Sequence, residues 1–279
     1  MNGLLNIINQ STNSVNQMRN VMFLPYENIY RTNIYKEFCK NNRKAVMFEN
    51  NQYKLEITDH LLSQKHRDIL DIVFSTAKIK PMSGERAYVD FTINSILGEL
   101  GLTDGEENRN TIERYLEELK RVNIKLTVKE GIFKDYIIFN LCDKAAYSEK
   151  LNKYVLVFSD VYLAMFQRDI LVDYKYYLPI LLSIESGILK AFIRYIISND
   201  WINHSLEDLL SEIEIKKEDM TARNFNMIKK QIRDSKELLK FGIDIDKKDQ
   251  VRYKKLKNVI FYNTQKEIKK YEQKELDFK

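Results

Sequence analysis

Apolar residues along this chain follow two rhythms, the three-and-four spacing of helices and the alternation of strands. Residues 63–77 form the first clean helical pattern, with Ile69, Leu70, Val73 and Phe74 on one face. A polar loop with Pro81 and Gly84 follows, and residues 87–91 alternate as a short strand. Thr92 is an N-cap for a helix over 93–100, and Gly101 is its C-terminal stop. After a turn at 102–106, residues 107–122 predict a helix with Ile112, Tyr115, Leu116, Leu119 and Val122 inward. Residues 124–128 and 132–141 are strands of a ribbon about Gly131. Upstream, residues 53–57 alternate as a strand and 21–50 give no clean period. Residues 1–20, polar and rich in Asn and Ser, predict a flexible arm.

The same succession returns in the second half. Residues 143–153 are polar and predict a linker; 154–158 is a strand, and Ser159 caps a short helix through Phe166. A strongly apolar helix spans 186–198, and a shorter one 205–213. Residues 221–240, TARNFNMIKKQIRDSKELLK, predict one helix with Phe225, Ile228, Ile232 and Leu239 on its apolar face. A strand at 243–245, a charged turn at 246–249 and a strand at 259–262 predict a second ribbon; the charged tail from Gln265 is expected to fray. Two stretches align between the halves: TINSILGELGL at 92–102 with SLEDLLSEIEI at 205–215, and ELKRVNIKL at 118–126 with ELLKFGIDI at 237–245. Two copies of one domain are therefore expected, rather than a solenoid.

This order and its duplication resemble the iteron-binding replication initiators (Rep proteins) of theta-replicating plasmids. The resemblance covers residues 60–262 and rests on LLSQKHRDILDIVFSTAK at 61–78, YVDFTINSILGEL at 88–100, and YVLVFSDVYLAMF at 154–166 leading to ILKAFIRYIIS at 188–198. It implies a helix-rich α+β chain of two tandem winged-helix domains. The first, 21–150, would carry dimer and auxiliary DNA contacts, and the second, 151–279, would be the main DNA reader. It further implies a dimer that represses its own gene, a monomer that opens the origin, and host partners: the replicative helicase, the initiator ATPase and chaperones.

Charge supports that division. Residues 216–279 hold 19 Lys/Arg against 11 Asp/Glu, a net of +8, which leaves residues 1–215 at −3 of the chain's +5. A basic end is the electrostatic footprint of a nucleic-acid binder. On 221–240, Arg223, Asn226, Lys230 and Arg233 fall opposite the apolar face, where they suit base edges in a major groove. Asn224 lies beside them. Lys229, Lys236, Lys240 and the turn lysines Lys247 and Lys248 suit phosphates. In the first half, Arg109, Asn110, Arg114 and Arg121 are the corresponding candidates, but Glu107 and Glu117 share that face and oppose phosphate approach. The expected partner is double-stranded DNA with repeated sites.

Catalytic chemistry finds little support. His60, His66 and His204 form no His-x-His pair for a tyrosine-dependent nicking centre, and there is no GxxxxGK[ST], HExxH or GxSxG. His66, at the start of a helix, is expected at the surface. No enzyme, metal or cofactor is expected. The alternatives are a winged-helix transcriptional regulator and, less well supported, a tyrosine nicking enzyme. Cys39 and Cys142 have no metal-ligand spacing and are expected as buried reduced thiols of a cytoplasmic protein. No signal peptide is evident, and no apolar run approaches the roughly 18 residues of a membrane span.

Overall fold

The N-terminal segment departs furthest from these expectations. The computed structural model describes residues 2–19, 22–49, 51, 53–82, 86–129, 135–150, 152–167 and 169–277. In place of a flexible arm, Asn2–Ile8 forms α1, Asn13–Ser14 forms β1 and Val15–Arg19 forms α2. Leu4, Leu5, Ile7, Ile8, Val15 and Met18 are all buried; averaged with their Asn and Ser neighbours, they disappear from the composition. The polar groups are satisfied too. Asn9 donates to the Ile79 carbonyl (3.0 Å), the Thr12 N–H to the Val172 carbonyl (2.8 Å), and Arg19 to the Ser198 carbonyl (2.7 Å). The segment therefore touches both halves of the chain.

The first half continues with β2 (Phe23–Leu24), α3 (Asn33–Lys40), β3 (Lys44–Glu49), β4 (Tyr53–Thr58) and β5 (Leu62–Ser63). Then comes α4 (Gln64–Thr76), started by a capping box: Ser63 caps the first turn, and the Ser63 N–H donates to His66 Nδ1 at 3.0 Å. His66 is consequently buried, which corrects the surface placement expected for it. With Nδ1 accepting, Nε2 carries the proton and donates to Glu118 at 2.8 Å. Next are β6 (Lys80–Pro81), β7 (Ala87–Phe91), α5 (Ile93–Glu99), α6 (Glu106–Arg121), β8 (Asn123–Val128) and β9 (Asp135–Asn140). The expected Thr92 cap is present, accepting from the Ser95 N–H at 3.1 Å, and Gly101 closes α5 at φ +67°. Gly131 and its neighbours 130–134 lie outside the described residues.

Residues expected to be a linker are instead β10 (Cys142–Ser148), paired antiparallel with β11 (Lys153–Phe158). The boundary expected at 150/151 thus falls inside a hairpin, and β11 pairs in turn with β7 of the first half. Polarity misled here because β10 lies at the edge of its sheet, where Asp143 and Lys144 can face water. Then follow α7 (Asp160–Gln167), β12 (Ile170–Asp173), α8 (Leu178–Leu182) and α9 (Gly187–Ile197). Gly187 lies against the Pro25–Glu27 backbone, where a Cβ would sit 2.8 Å from the Glu27 nitrogen. The remaining elements are β13 (Trp201–Ser205), α10 (Leu206–Glu212), α11 (Ala222–Arg233), α12 (Glu237–Lys240), β14 (Ile243–Ile245), β15 (Gln250–Lys254), β16 (Ile260–Asn263) and α13 (Thr264–Asp277).

The fold is a mixture of helices and sheets in which helix, strand, helix, helix and ribbon occur twice in that order. They are α4–β7–α5–α6–β8–β9 and α9–β13–α10–α11–β14–β15. The sheet partners differ. In the second set the leading strand joins its own ribbon, in the order β13-β15-β14; in the first, β7 joins β11 and β6, and the ribbon extends the β3–β4 hairpin as β3-β4-β8-β9. The ribbon partner of β14 is β15, not the strand expected at 259–262, which as β16 pairs with β12. The tail expected to fray is helical in α13, with Ile268 against the core. Cys142 is buried as expected, but Cys39 is exposed on α3. Among the described residues no helix is long and apolar enough to cross a membrane.

The first helices of the two sets, α4 and α9, pack on one another. Their contact is charged: Lys190 Nζ lies 2.5 Å from Asp68, and Arg194 Nη2 lies 2.6 Å from Asp68 and 2.7 Å from Asp71. All four side chains are at most 2% exposed. Arg194 Nη1 also donates to Gln64 (2.6 Å) and Tyr174 Oη to Asp71 (2.7 Å). The hydrophobic core is one cluster running through both sets.

Candidate DNA interface

The basic stretch 221–240 is two helices, not one. Thr221 caps α11 by accepting from the Asn224 N–H at 3.3 Å, and α11 ends at the C-cap Asp234. Ser235 then donates to Glu237 at 2.7 Å, and α12 starts on a new phase. The change of phase buries Leu238 and leaves Leu239, expected inward, 71% exposed. Lys236 accordingly precedes the short second helix as its N-cap and Lys240 ends it, both exposed, beyond the end of α11.

Phe225 and Ile232 anchor α11 in the core, with Ile228 packed beside them. The face turned away carries Arg223, Asn226, Met227 and Lys230, all exposed. The side chains of Arg223, Asn226 and Lys230 have no hydrogen-bond or ion-pair partner among the described residues. Asn224 is exposed, at the side of this face. Met227, 61% exposed on this face, was not among the sequence candidates; its apolar side chain belongs to the right chemical class for a thymine methyl. The sequence signal was available, because Met227 follows Asn226 and precedes Lys230 by three.

Arg233 and Lys229 are placed differently from expectation. One carboxylate, Asp249 at the base of the β14–β15 turn, holds both: Lys229 Nζ to Oδ2 at 2.7 Å and Arg233 Nη1 to Oδ1 at 2.9 Å. Arg233 therefore shares the helical phase of Arg223, Asn226 and Lys230 but, unlike them, is already paired with a carboxylate. The turn itself is built on Asp246, whose carboxylate accepts from the N–H groups of Lys248 (2.8 Å) and Gln250 (3.0 Å). These backbone donors hold the Asp246 carboxyl below its ordinary pKa. Lys247 and Lys248 project from this turn, exposed.

In the first half every candidate arginine already faces a carboxylate. Arg109 donates to both oxygens of Asp104 (2.5 and 2.8 Å) and to Asn94 (2.9 Å). Arg121 pairs with Glu117 at 3.0 Å, and Arg114 lies 3.9 Å from Glu118 with its guanidinium over the Tyr115 ring. Asn110 is exposed. Beneath Arg114, Glu118 is buried. Burial pushes its carboxyl up, but hydrogen bonds from His66 and Tyr30 outweigh that and hold it below the ordinary value. The structure thus leaves Arg223, Asn224, Asn226 and Lys230 exposed on α11 and ties that helix through Asp249 to the turn that carries Lys247 and Lys248. The α6 candidates stand apart, already paired except for Asn110.

No family model and no curated protein matches the chain. Its fold is similar to a crystal structure of domains 2 and 3 of RctB, determined on the selenomethionine derivative. The TM-score is 0.50 at 12% identity, over 80% of this chain and 90% of that one. A further structure of RctB domains 2–3 aligns with a TM-score of 0.44 at 11% identity, over 81% of this chain and 92% of that one.

Proposed function

We propose that this chain initiates replication by binding repeated origin DNA, with two winged-helix units and no catalytic step of its own. The observation that carries the proposal is the free polar face of α11. Arg223, Asn226 and Lys230 can bond base edges without first breaking an internal ion pair, and the β14–β15 turn presents Lys247 and Lys248 to the flanking phosphates. The order helix, strand, helix, helix, ribbon with the sheet β13-β15-β14 supports the winged-helix reading. The likeness of the chain to domains 2 and 3 of RctB is one of fold. The unit containing α6 would serve self-association and auxiliary contacts, and the unit containing α11 base reading, with the N-terminal segment packed against both halves. Support for self-association comes from β9, an edge strand on which Tyr136, Ile137 and Ile138 are all exposed. Autorepression by the dimer, action in the cytoplasm, and contacts with helicase, initiator ATPase and chaperones belong to the same reading.

The test is selection from a randomised duplex library, followed by footprinting on the DNA flanking the gene. The expected result is one enriched motif that recurs as direct repeats there. Arg223→Ala should weaken the enriched duplex by about 1–3 kcal/mol and relax one base position. An enriched motif present once, at a promoter without repeats, would favour the transcriptional regulator. Covalent attachment of the protein to a nicked strand in a divalent metal would refute the non-catalytic reading.

A further inference from the structure

The turn of the β14–β15 ribbon ends on a residue in an unusual conformation. Asp249 has φ +60°, the left-handed region that a non-glycine residue occupies at a cost, with Asn and Asp the best tolerated. Its backbone is engaged on both sides: the N–H donates to the Asp246 carbonyl at 3.0 Å, and the carbonyl accepts from the Leu206 N–H at 2.8 Å, where α10 begins. The turn is thereby fixed to the helical part of the unit. From that fixed point the carboxylate reaches Lys229 (2.7 Å) and Arg233 (2.9 Å), one turn apart on α11. Glu207 adds a weaker contact to Lys229 at 3.9 Å.

We propose that Asp249 determines the sequence discrimination of this surface by restraining Lys229 and Arg233 and cancelling one of their two charges. The inference rests on α11 being the DNA-reading helix. Non-specific binding is supplied almost wholly by cations that can reach phosphates, whereas sequence is read by groups held at base edges. Left free, Lys229 and Arg233 would add two mobile cations beside the groove and raise affinity for every duplex alike. Paired with Asp249, they present a single net charge in a fixed position, and the unpaired Arg223, Asn226 and Lys230 supply a larger share of the binding. Arg233 then acts through its fixed position beside the reading face rather than as an independent phosphate hook.

Asp249→Asn is the informative substitution, because Asn keeps the shape and tolerates the left-handed backbone while removing the charge. Affinities would be measured across a salt series for two probes: the duplex that the wild-type chain enriches from a randomised library, and a random-sequence duplex. One freed cation steepens the salt slope on random DNA by about one and tightens it about five-fold near 0.1 M salt. The enriched duplex should gain less than two-fold, so the ratio of the two affinities falls by roughly three-fold or more. The double variant Asp249→Asn/Arg233→Gln restores the wild-type charge and should return the random-duplex slope to its original value. A merely structural carboxylate would lower both affinities together and leave the double variant as impaired as the single one; that result overturns the proposal, as does an unchanged ratio and slope. Arg223→Ala, run in parallel, separates the two levels of argument. If it abolishes enrichment while Asp249→Asn changes nothing, only the proposal falls. If no duplex is enriched by the wild type, the DNA-reading assignment falls and the proposal with it.

Discussion

Replacing Arg194 by Met tests the charged contact between α4 and α9. The guanidinium makes bonds of 2.6 Å to Asp68, 2.7 and 3.1 Å to Asp71 and 2.6 Å to Gln64, with all of these groups buried. Burial alone would lower its pKa; the fields of Asp71 and Asp68 overcome that and raise it above the ordinary guanidinium value. Removing the cation leaves Asp68 with Lys190 at 2.5 Å, but strips Asp71 of its principal counter-charge. The neutral donors Tyr174 and Asn13 and a contact to Arg67 at 3.3 Å remain. Breaking a buried pair on one side typically costs about 3–5 kcal/mol, since the surviving charge stays desolvated. At about 2–4 °C per kcal/mol for a chain of this order of size, the melting temperature should fall by roughly 6–20 °C. The double variant Asp71→Asn/Arg194→Met, which removes both charges, should recover part of the loss. Urea unfolding would be followed by far-ultraviolet circular dichroism and by the single tryptophan, Trp201 on β13, which reports on the second unit. A loss for Arg194→Met below about 1 kcal/mol, or a double variant no more stable than the single one, would refute the reasoning.

Three further outcomes are expected. Lys247→Ala/Lys248→Ala should weaken cognate and random duplexes alike and lower the salt slope by about one per lysine; loss confined to cognate DNA would make the turn a reader of bases. A thiol reagent should label Cys39 in the native protein and reach Cys142 only on unfolding, since Cys142 is buried and its pKa is pushed up to about 12; rapid native labelling of both would contradict the fold around β10. Glu118 has a folded pKa below its unfolded one, so its contribution is present above the ordinary carboxylate range and is lost as pH falls through the folded value. Unfolding free energy should therefore fall on acidification, and Glu118→Gln should flatten that fall; an unchanged acid slope would count against the His66–Glu118 contact.

What the sequence made legible was periodic or capped. The helices after Thr92 and Ser159 stand where their hydroxyl caps put them, and those over 63–77 and 205–213 where apolar spacing put them, each with a cap hydrogen bond in place. What it hid depended on contacts distant in the chain. The N-terminal segment looks polar because its apolar residues are few, yet Thr12 and Asn13 find partners about 160 and 58 residues away on β12 and α4. β10 is polar because it is an edge, and only its pairing with β11 reveals a strand. The break after Asp234 was invisible to a wheel drawn over 221–240, because a shift of one residue at Ser235 exchanges Leu238 and Leu239 without altering composition. For the candidate site, helical spacing sufficed to place Arg223, Asn226 and Lys230 on one face. It could not show that Arg233 and Lys229 are held by Asp249, since that depends on where the turn folds back.

The charged contact between α4 and α9 bears on how the two sets of elements could act together. An apolar interface of the same area would bind at least as well, because buried ion pairs recover little more than their desolvation cost. What the charges add is direction. A guanidinium bonded to two carboxylates and an amide, with a lysine on one of those carboxylates, admits one registry of α9 against α4, whereas a leucine seam could slide. The N-terminal segment reinforces that registry, since β1 pairs with β12, Asn9 is bonded to Ile79 beyond the end of α4, and Arg19 is bonded to the end of α9. α6 packs on α4, and β13 follows directly from α9, so the distance between α6 and α11 is set through this contact. If both helices address one stretch of DNA, that distance has to match the helical repeat of the duplex. A fixed registry then contributes to affinity, because the second helix meets its site without a further loss of freedom.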